Sequence, residues 1–346
     1  MKKYFLYIAA AAFLMAACNK DHLENPEDQP VTGIITMTTL ASEVSLGFFY
    51  NESTFGGLTI YWGDGTKTVI DGINSSTKTG YFYTDYYSRD YFHSYSGVSE
   101  RTITITGNDN LIFACYNNQL SALDVSGYPA LLSLFCQDNN LTTLDVSHNT
   151  SLYVLDCGNN QLTALDVSAN PILTRLKCYD NQLTTIDVSH NTVLDVLYCQ
   201  NNQLTDLDLS RNTELTDLEC RNNQLTALDV SHNGWLGNLG CNNNRLTTLD
   251  LSRNTWLWRL TCISNQLTSL DASHNITLVI LDCGGNQLAA TALNDLFGTL
   301  QDSVDSYHDG GSRINYLGRR VNITGNPGAS DCNMSIAKDK EWKVTR

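Results

Sequence analysis

The chain has 346 residues, of which 42% are hydrophobic and 16% are charged, and its formal net charge at pH 7 is −15. A hydrophobic fraction of this size excludes an intrinsically disordered protein. The 21 lysines and arginines stand against 36 acidic residues. This balance argues against nucleic acid or an anionic membrane surface as a partner, because both require a basic surface.

The first 17 residues have the features of an export signal. Two lysines precede an apolar run, Tyr4 to Ala17, which is too short to span a bilayer, and small residues precede Cys18. The ending LMAAC resembles the bacterial lipobox, which implies cleavage before Cys18, lipidation of its thiol and anchoring to the bacterial outer membrane. Residues 18–30 are polar and acidic and are expected to form a flexible linker. The start of this linker resembles the surface-export tags of Gram-negative lipoproteins, which implies exposure at the cell surface.

Residues 31–108 contain three strand-like runs, GIITMTT, LTIYWGDGTKTVI and RTITITG. The pieces WGDGT, YFHSYSG and RTITITG together resemble the immunoglobulin-like PKD domain of bacterial surface proteins. That resemblance implies a β-sandwich-like domain. It is partial, since the tyrosine-rich insert GYFYTDYYSRDYFHSYSG has no assigned role.

Residues 109–286 repeat a 21-residue unit, L-x-x-L-x-C-x-x-N-x-L-T-x-L-D-V-S-x-N-x-x. Leu155 and Cys157 should point to one side of a strand and Asp156 to the other, and the L-D-V half alternates in the same way. Each coil is therefore predicted to contain two short strands joined by tight corners. Coils stacked about 4.8 Å apart would bury their Leu, Val and Cys side chains in one continuous core. The unit resembles the 21-residue leucine-rich repeat of bacteria, with nested halves of 10 and 11 residues, and this implies a mostly β solenoid of about nine coils.

Nine cysteines recur at the same position of the unit. Neighbouring Cβ atoms on parallel, in-register strands lie about 4.8 Å apart, against about 3.8 Å in a disulfide, so these thiols are predicted to be free. They would act as small buried hydrophobes, and a row of single cysteines without nearby histidines predicts no metal site. Cys332, outside the array, has one candidate disulfide partner in Cys283, and the sequence leaves that pairing open. The nine are Cys115, Cys136, Cys157, Cys178, Cys199, Cys220, Cys241, Cys262 and Cys283.

Asparagine and aspartate also recur at fixed positions. Two asparagine rows, of which Asn160 and Asn170 are members, are predicted to satisfy backbone groups at the corners of the coils. An aspartate row, one per coil, must be offset by hydrogen bonds from the flanking Ser and Thr or by bound calcium. The chain lacks the paired glycines of calcium-binding β-rolls, which favours hydrogen bonds. The aspartates are Asp124, Asp145, Asp166, Asp187, Asp208, Asp229, Asp250 and Asp271.

The outward positions of the L-x-C strand vary from coil to coil, whereas the L-D-V-S half hardly changes. We therefore interpret the first as a binding surface and the second as scaffold. Aromatic side chains beside basic ones are typical of binding hot spots. Trp235 and Trp256 occupy equivalent positions and should stack outside the core near Trp258, or pack against a terminal cap. The predicted ligand-binding residues are Phe135, Arg175, Lys177, Tyr179, Tyr198, Glu219, Arg221, Trp235, Trp256, Trp258 and Arg259.

Residues 287–346 are predicted to form a small α/β cap. The stretch LAATALNDLFGTL has helical periodicity, with apolar Leu293, Leu296 and Phe297, and is followed by the strand-like RRVNITG and the turn NPG. An open array needs such a cap because its last coil would otherwise expose core side chains.

The sequence contains no nucleophile elbow, phosphate loop, H-E-x-x-H or dinucleotide-binding motif. We therefore predict a non-catalytic protein without a cofactor. The function predicted is that of a lipid-anchored bacterial surface protein that recognises a protein ligand through the variable L-x-C positions. The resemblance supports this, since leucine-rich repeat proteins usually bind protein on this face. The alternatives are a glycan-binding module that uses the exposed tryptophans and a passive structural scaffold.

Overall fold

The computed structural model describes residues 33–50, 57–70, 87–107, 111–302, 307–308, 312–313 and 318–346. The predicted signal peptide, the lipidation site Cys18 and the acidic linker lie outside these residues. Within the described part of the chain, every helix is too short or too polar to cross a membrane.

The N-terminal region consists of short strands in two sheets. One sheet has five strands, and three further strands belong to a second, larger sheet. In the strand numbering given at the end of this paragraph, the five-stranded sheet has the order β4-β3-β6-β1-β8, and β2, β5 and β7 belong to the larger sheet. Residues of β1 and β6 alternate between buried and more exposed positions, and their buried side chains join one core with those of the repeats. The strands are β1 (Gly33–Thr39), β2 (Glu43–Tyr50), β3 (Leu58–Tyr61), β4 (Lys67–Ile70), β5 (Tyr87–Ser94), β6 (Arg101–Gly107), β7 (Leu111–Ala114) and β8 (Leu120–Asp124).

The repeats form a parallel β-solenoid. Each strand pairs with the next in register, 21 residues on, as Leu155 does with Leu176. With two strands of the C-terminal region the stack has about ten turns, which confirms the predicted mostly β solenoid. The strands are β9 (Leu131–Phe135), β10 (Val154–Asp156), β11 (Arg175–Lys177), β12 (Val196–Tyr198), β13 (Asp217–Glu219), β14 (Asn238–Gly240), β15 (Arg259–Thr261) and β16 (Ile280–Asp282).

Each of these coils contributes one β-strand, and the prediction of two was wrong. The L-D-V half forms a strand only in the first coil, where β8 pairs with β1. In the other coils, side-chain oxygens accept hydrogen bonds from backbone N–H groups that a second β-ladder would need. Leu141 N donates to Asn160 Oδ1 at 3.0 Å, and Ser147 N donates to Asp145 Oδ1 at 2.9 Å. The second half of the coil therefore stacks without a β-ladder.

The cysteine row lies in the core. All nine thiols are fully buried and free, and burial raises the pKa of Cys178 and Cys241 to about 12. The prediction of free, buried cysteines is confirmed. Cys283 Sγ donates to Asn322 O at 3.4 Å and Cys332 Sγ to Ala329 O at 3.6 Å, and both are free thiols. The candidate disulfide between them is thus not formed.

The two asparagine rows hold successive coils together. Asn181 Nδ2 donates to the carbonyls of Cys157 at 3.0 Å and Cys178 at 3.2 Å, while its Oδ1 accepts from Leu162 N at 2.9 Å. In the second row, Asn170 Nδ2 donates to Val146 O at 3.0 Å and to Asn149 O at 2.9 Å. Their predicted structural role is confirmed for the carbonyls, because both rows donate to buried backbone oxygens across the coil boundary. Only the first row also accepts from backbone N–H groups, since the Oδ1 atoms of the second row have no hydrogen-bond partner among the described residues.

The C-terminal region continues the stack and covers its end. Strand β19 (Arg320–Asn322) pairs in parallel with β16, and β20 (Lys343–Thr345) pairs with β19. Helix α1 buries Leu293, Leu296 and Phe297, as its periodicity predicted. Lys340 Nζ donates to Gly298 O at 2.7 Å and to Leu300 O at 2.6 Å at the end of that helix. The elements are α1 (Ala290–Thr299), β17 (Tyr307–His308), β18 (Ser312–Arg313), β19 (Arg320–Asn322), α2 (Ser335–Lys338) and β20 (Lys343–Thr345).

Candidate ligand-binding surface on the parallel sheet

The outward-pointing residues of β9 to β16 line up in rows across the parallel sheet, and we call this surface the outer face. Their alignment follows from the register, because each residue sits beside the one 21 positions on. The first row is Ser133, Val154, Arg175, Val196, Asp217, Asn238, Arg259 and Ile280. The second row is Phe135, Asp156, Lys177, Tyr198, Glu219, Gly240, Thr261 and Asp282. A third row follows the cysteines: Gln137, Gly158, Tyr179, Gln200, Arg221, Asn242, Ile263 and Gly284.

Lys177 connects the predicted aromatic and charged residues near β11. Its Nζ lies 3.6 Å from Asp156 Oδ2 and 5.6 Å from the ring centroid of Tyr198. The Asp156 side chain is only 7% exposed. Burial raises the pKa of this carboxyl, and Lys177 lowers it. The ion pair with Asp156 therefore holds Lys177 in place beside the ring of Tyr198. Both Lys177 and Tyr198 are predicted binding residues.

Tyr198 is half-buried and hydrogen-bonded. Its Oη donates to Asp217 Oδ2 at 3.0 Å. Burial and the neighbouring Asp217 carboxylate raise the pKa of Tyr198 to about 12. The phenol is thus a fixed donor that faces the acidic side of the surface. On the neighbouring coils, Arg175 and Arg221 are exposed, whereas Phe135 is half-buried three coils away from Tyr198.

Tyr179 is less free than the sequence suggested. A Cβ at Gly158 would lie 2.3 Å from Tyr179 Cζ, so the ring lies directly on this glycine. Burial raises the pKa of Tyr179 to about 12. Tyr179 therefore offers one half-buried ring face to a ligand, and Gly158 is the residue that allows this placement.

Glu219 has a similar relation to a glycine. A Cβ at Gly240 would lie 2.0 Å from Glu219 Oε2, so the carboxylate occupies the space above that glycine. Asn238, in the same coil as Gly240, donates from Nδ2 to Asp217 Oδ1 at 2.8 Å and to Glu219 Oε1 at 3.3 Å. Neither Asn238 nor Asp217 was among the predicted site residues. The two glycines that flank Asn238, at positions 237 and 240, were the available signal.

The tryptophans fall into two groups. Trp235 and Trp256 stack with ring centroids 5.9 Å apart, and their exposed fractions are 41% and 48%. This confirms the expected stacking outside the core and argues against burial under the described cap. Trp258 is half-buried beside Gly237, where a Cβ would lie 3.1 Å from its Cδ1. Arg259, the next residue, is also half-buried.

The opposite side of the coil carries the aspartate row. Asp166 Oδ1 accepts from Ser168 N at 2.9 Å, and the hydrogen bonds from Ser168 lower the pKa of this carboxyl. The described residues contain no group of three or more His, Cys, Asp or Glu placed to hold a metal ion. The hydrogen bonds from serine that the sequence favoured are formed along this row, as Ser147 and Ser189 also show. The same lowering occurs at Asp124, Asp145, Asp187, Asp208, Asp229 and Asp250.

No protein-family model and no curated protein matches the chain. Among solved structures it is similar to the functional domain of InlJ from Listeria monocytogenes, which includes a cysteine ladder. The identity is 33% over 67% of this chain and 52% of that chain, with a TM-score of 0.51. A leucine-rich repeat protein of Leptospira interrogans matches at 22% identity over 67% of this chain and 59% of that chain, with a TM-score of 0.57. The chain therefore has the leucine-rich repeat fold of bacterial proteins, and it spans little more than half the length of each of these two.

Proposed function

We propose that the protein binds a protein ligand, without catalysis, through the outer face. The observation that carries this proposal is the difference between the two sides of the coil. The Asp-Ser side repeats almost unchanged, whereas the outer face changes in every coil and presents aromatic and charged side chains. Stacking requires only the buried residues to recur, so folding does not account for this variation. Half-buried tyrosines beside Lys177 and Arg175 have the composition of a hot spot.

The test is a pull-down with a variant that removes two predicted contacts. Tyr179→Ala with Tyr198→Ala should lose captured proteins that the wild type retains. Thr184→Ala with Thr205→Ala changes exposed residues of the same two coils on the opposite half and should retain them. Equal capture by both variants would contradict the proposal. The absence of any specific partner would favour the passive scaffold instead.

A glycan ligand is the second candidate, and the stacked pair Trp235 and Trp256 favours it. Exposed indole faces supply large apolar area against which a sugar ring can pack. Binding to a glycan array that disappears in Trp235→Ala with Trp256→Ala, and persists in the tyrosine variant, would establish this function. Binding that persists in both variants would rule out the pair as the glycan site.

We further infer that the protein is exported and anchored by a lipid on Cys18 at the surface of the outer membrane. The support is the N-terminal sequence, which ends in LMAAC before a polar linker. Metabolic labelling with a fatty acid should mark the wild type and not Cys18→Ser. Protease treatment of intact cells should remove the protein, and full protection would place it in the periplasm.

The division into a PKD-like domain at residues 31–108, an array at 109–286 and a cap at 287–346 is part of the same proposal. Its support in the first domain is a cluster around the WGDGT turn. Trp62 and His93 stack at 4.7 Å, and His93 Nε2 lies 2.7 Å from Asp64 Oδ2. Because β1 pairs with β8 and β2 pairs with β7 across residue 108, we expect this domain to be packed onto the first coils of the array. Hydrogen exchange should therefore show β1, β2 and the first coils protected to a similar degree, and an array protected while β1 and β2 exchange freely would contradict this arrangement.

A further inference from the structure

We propose that the ligand surface extends from the array onto the N-terminal strands, where Phe92 and Tyr116 contact an apolar, non-acidic segment of the protein ligand. This inference rests on the proposed function, because it adds a second contact area to the same outer face. Neither Phe92 nor Tyr116 is among the binding residues predicted from the sequence.

The sheet that carries the outer face does not end at the first coil. Strand β9 pairs with β7, β7 pairs with β2 and β2 pairs with β5, so that one sheet of 13 strands crosses from the array into the N-terminal region. Outward side chains of neighbouring strands lie on the same face of such a sheet. The outward positions of β7, β2 and β5 therefore continue the outer face toward the N-terminus.

Phe92 points outward from β5, on this continuation of the outer face. Tyr91 packs edge-on against the buried ring of Phe48, with ring centroids 5.8 Å apart, and therefore points into the core. His93 stacks on the buried ring of Trp62 at 4.7 Å and points the same way as Tyr91. Because side chains alternate along a strand, Phe92 points away from the core, and it is 76% exposed.

Tyr116 belongs to the third row of the outer face, one coil before Gln137. The residue before it, Cys115, is fully buried, whereas Tyr116 is 48% exposed. Tyr179 lies three coils further along the same row, about 14 Å away at a strand spacing of about 4.8 Å. Tyr116 and the predicted site on the array are thus parts of one row.

Ser45 of β2 lies between the two exposed rings. It pairs with Phe92 on β5, and its other side faces Tyr116 because β7 runs antiparallel to β2. The Asn118 side chain fixes this junction, since its Oδ1 accepts from Ser45 N at 2.8 Å and its Nδ2 donates to Ser45 O at 2.7 Å. The N-terminal strands and the first coil therefore present their outward side chains in one arrangement, which reduces the entropy lost on binding.

The chemistry of this row indicates the kind of ligand segment that it contacts. The row carries no charged side chain from β5 to Tyr179, and its exposed aromatic rings offer apolar area to a partner. Exposed carboxylates flank it at Glu43, Asp90 and Asp138, and these disfavour an acidic segment. Apolar side chains of the protein ligand therefore fit here. The row consists of Phe92, Ser45, Tyr116, Gln137, Gly158 and Tyr179.

The experiment is site-specific photocrosslinking of the full chain. Phe92, Tyr116 and Tyr179 are replaced one at a time by p-benzoylphenylalanine, and each chain is irradiated in the protein mixture used for the pull-down. Mass spectrometry should identify the same crosslinked protein from all three positions. Tyr61 is the control position, because it is 45% exposed in the same region but lies on the five-stranded sheet, and it should not crosslink to that protein.

The outcomes separate this inference from the proposed function. Crosslinks from position 179 without crosslinks from positions 92 and 116 would overturn the extension and leave the proposed function intact. Crosslinks from none of the three positions would overturn both. A crosslink from positions 92 and 116 to a second copy of this chain would assign these side chains to self-association and would also overturn the inference.

Alanine variants test whether the two rings contribute to binding. Phe92→Ala with Tyr116→Ala should release the crosslinked protein about tenfold faster or more from the immobilised chain, as truncation of hot-spot aromatic residues does. Tyr61→Ala with Val69→Ala removes exposed apolar side chains from the other sheet and should change this rate by less than about twofold. Equal release rates in the two variants, with circular dichroism spectra like that of wild type, would overturn the inference.

Discussion

Replacing Asn181 by alanine tests how the coils are held together. Its Nδ2 donates to the carbonyls of Cys157, Cys178 and Tyr179, and its Oδ1 accepts from Leu162 N. Because the amide nitrogen carries two hydrogens, the three carbonyl contacts count as two hydrogen bonds. The carbonyls of Cys157 and Cys178 each keep another donor, since Asn160 and Asn202 also bond to them. Only the Leu162 N–H is left without a partner. One buried donor left without a partner costs about 1 to 3 kcal/mol, and each of the two other lost hydrogen bonds costs about 1 kcal/mol. We therefore expect Asn181→Ala to lower the free energy of unfolding by about 3 to 5 kcal/mol.

The assay is urea unfolding followed by circular dichroism, with the midpoint and slope compared between variants. Gln182→Ala is the control, because Gln182 is the exposed neighbour of Asn181 and should change stability by no more than about 0.5 kcal/mol. An Asn181→Ala variant no less stable than this control would refute the argument that the asparagine row carries the coil-to-coil contacts.

Two further predictions concern the aspartate row and the tyrosine on the sheet. Serine hydrogen bonds lower the pKa of seven row aspartates, so their contribution to stability is present above about pH 4 and is lost as the pH falls through the lowered values. The urea midpoint should therefore drop between pH 5 and pH 3, less steeply in Asp166→Asn, and a flat profile would contradict this. Gly158→Val should displace Tyr179 and lower the pKa of its phenol from about 12 toward the ordinary value, as followed by NMR titration of ring-labelled tyrosine. An unchanged pKa of Tyr179 would show that the ring does not depend on the glycine.

The solenoid itself followed from the spacing of the repeat. A period of 21 residues with one cysteine, two asparagines and regularly placed leucines leaves one way to bury the apolar set, and the parallel register repeats that period. Alternation of apolar residues alone could not show that each coil lacks the second strand. Alternation of Leu and Val describes which side chains are buried, but Asn160 and Asp145 take the N–H groups that a second ladder would use.

The candidate site could be predicted only in part. Variation along the L-x-C strand located the face, and equal spacing placed Trp235 above Trp256. The sequence did not reveal which side chains fold down onto a neighbour. Tyr179 on Gly158 and Glu219 on Gly240 depend on rotamers that the glycine of the adjacent coil permits, and this contact joins residues 21 positions apart. Comparing each glycine in the sequence with the residue 21 positions before and after it would have identified both contacts.

Thiol labelling of the native protein is the most direct test of the account. With every ladder cysteine fully buried, a small maleimide should leave Cys115 to Cys283 unlabelled in buffer and label all nine in denaturant. Reduction should leave the unfolding midpoint unchanged, because these cysteines are free. Rapid labelling of several ladder cysteines in the native state would mean that the row does not lie in the core, and the outer face as described here could not exist.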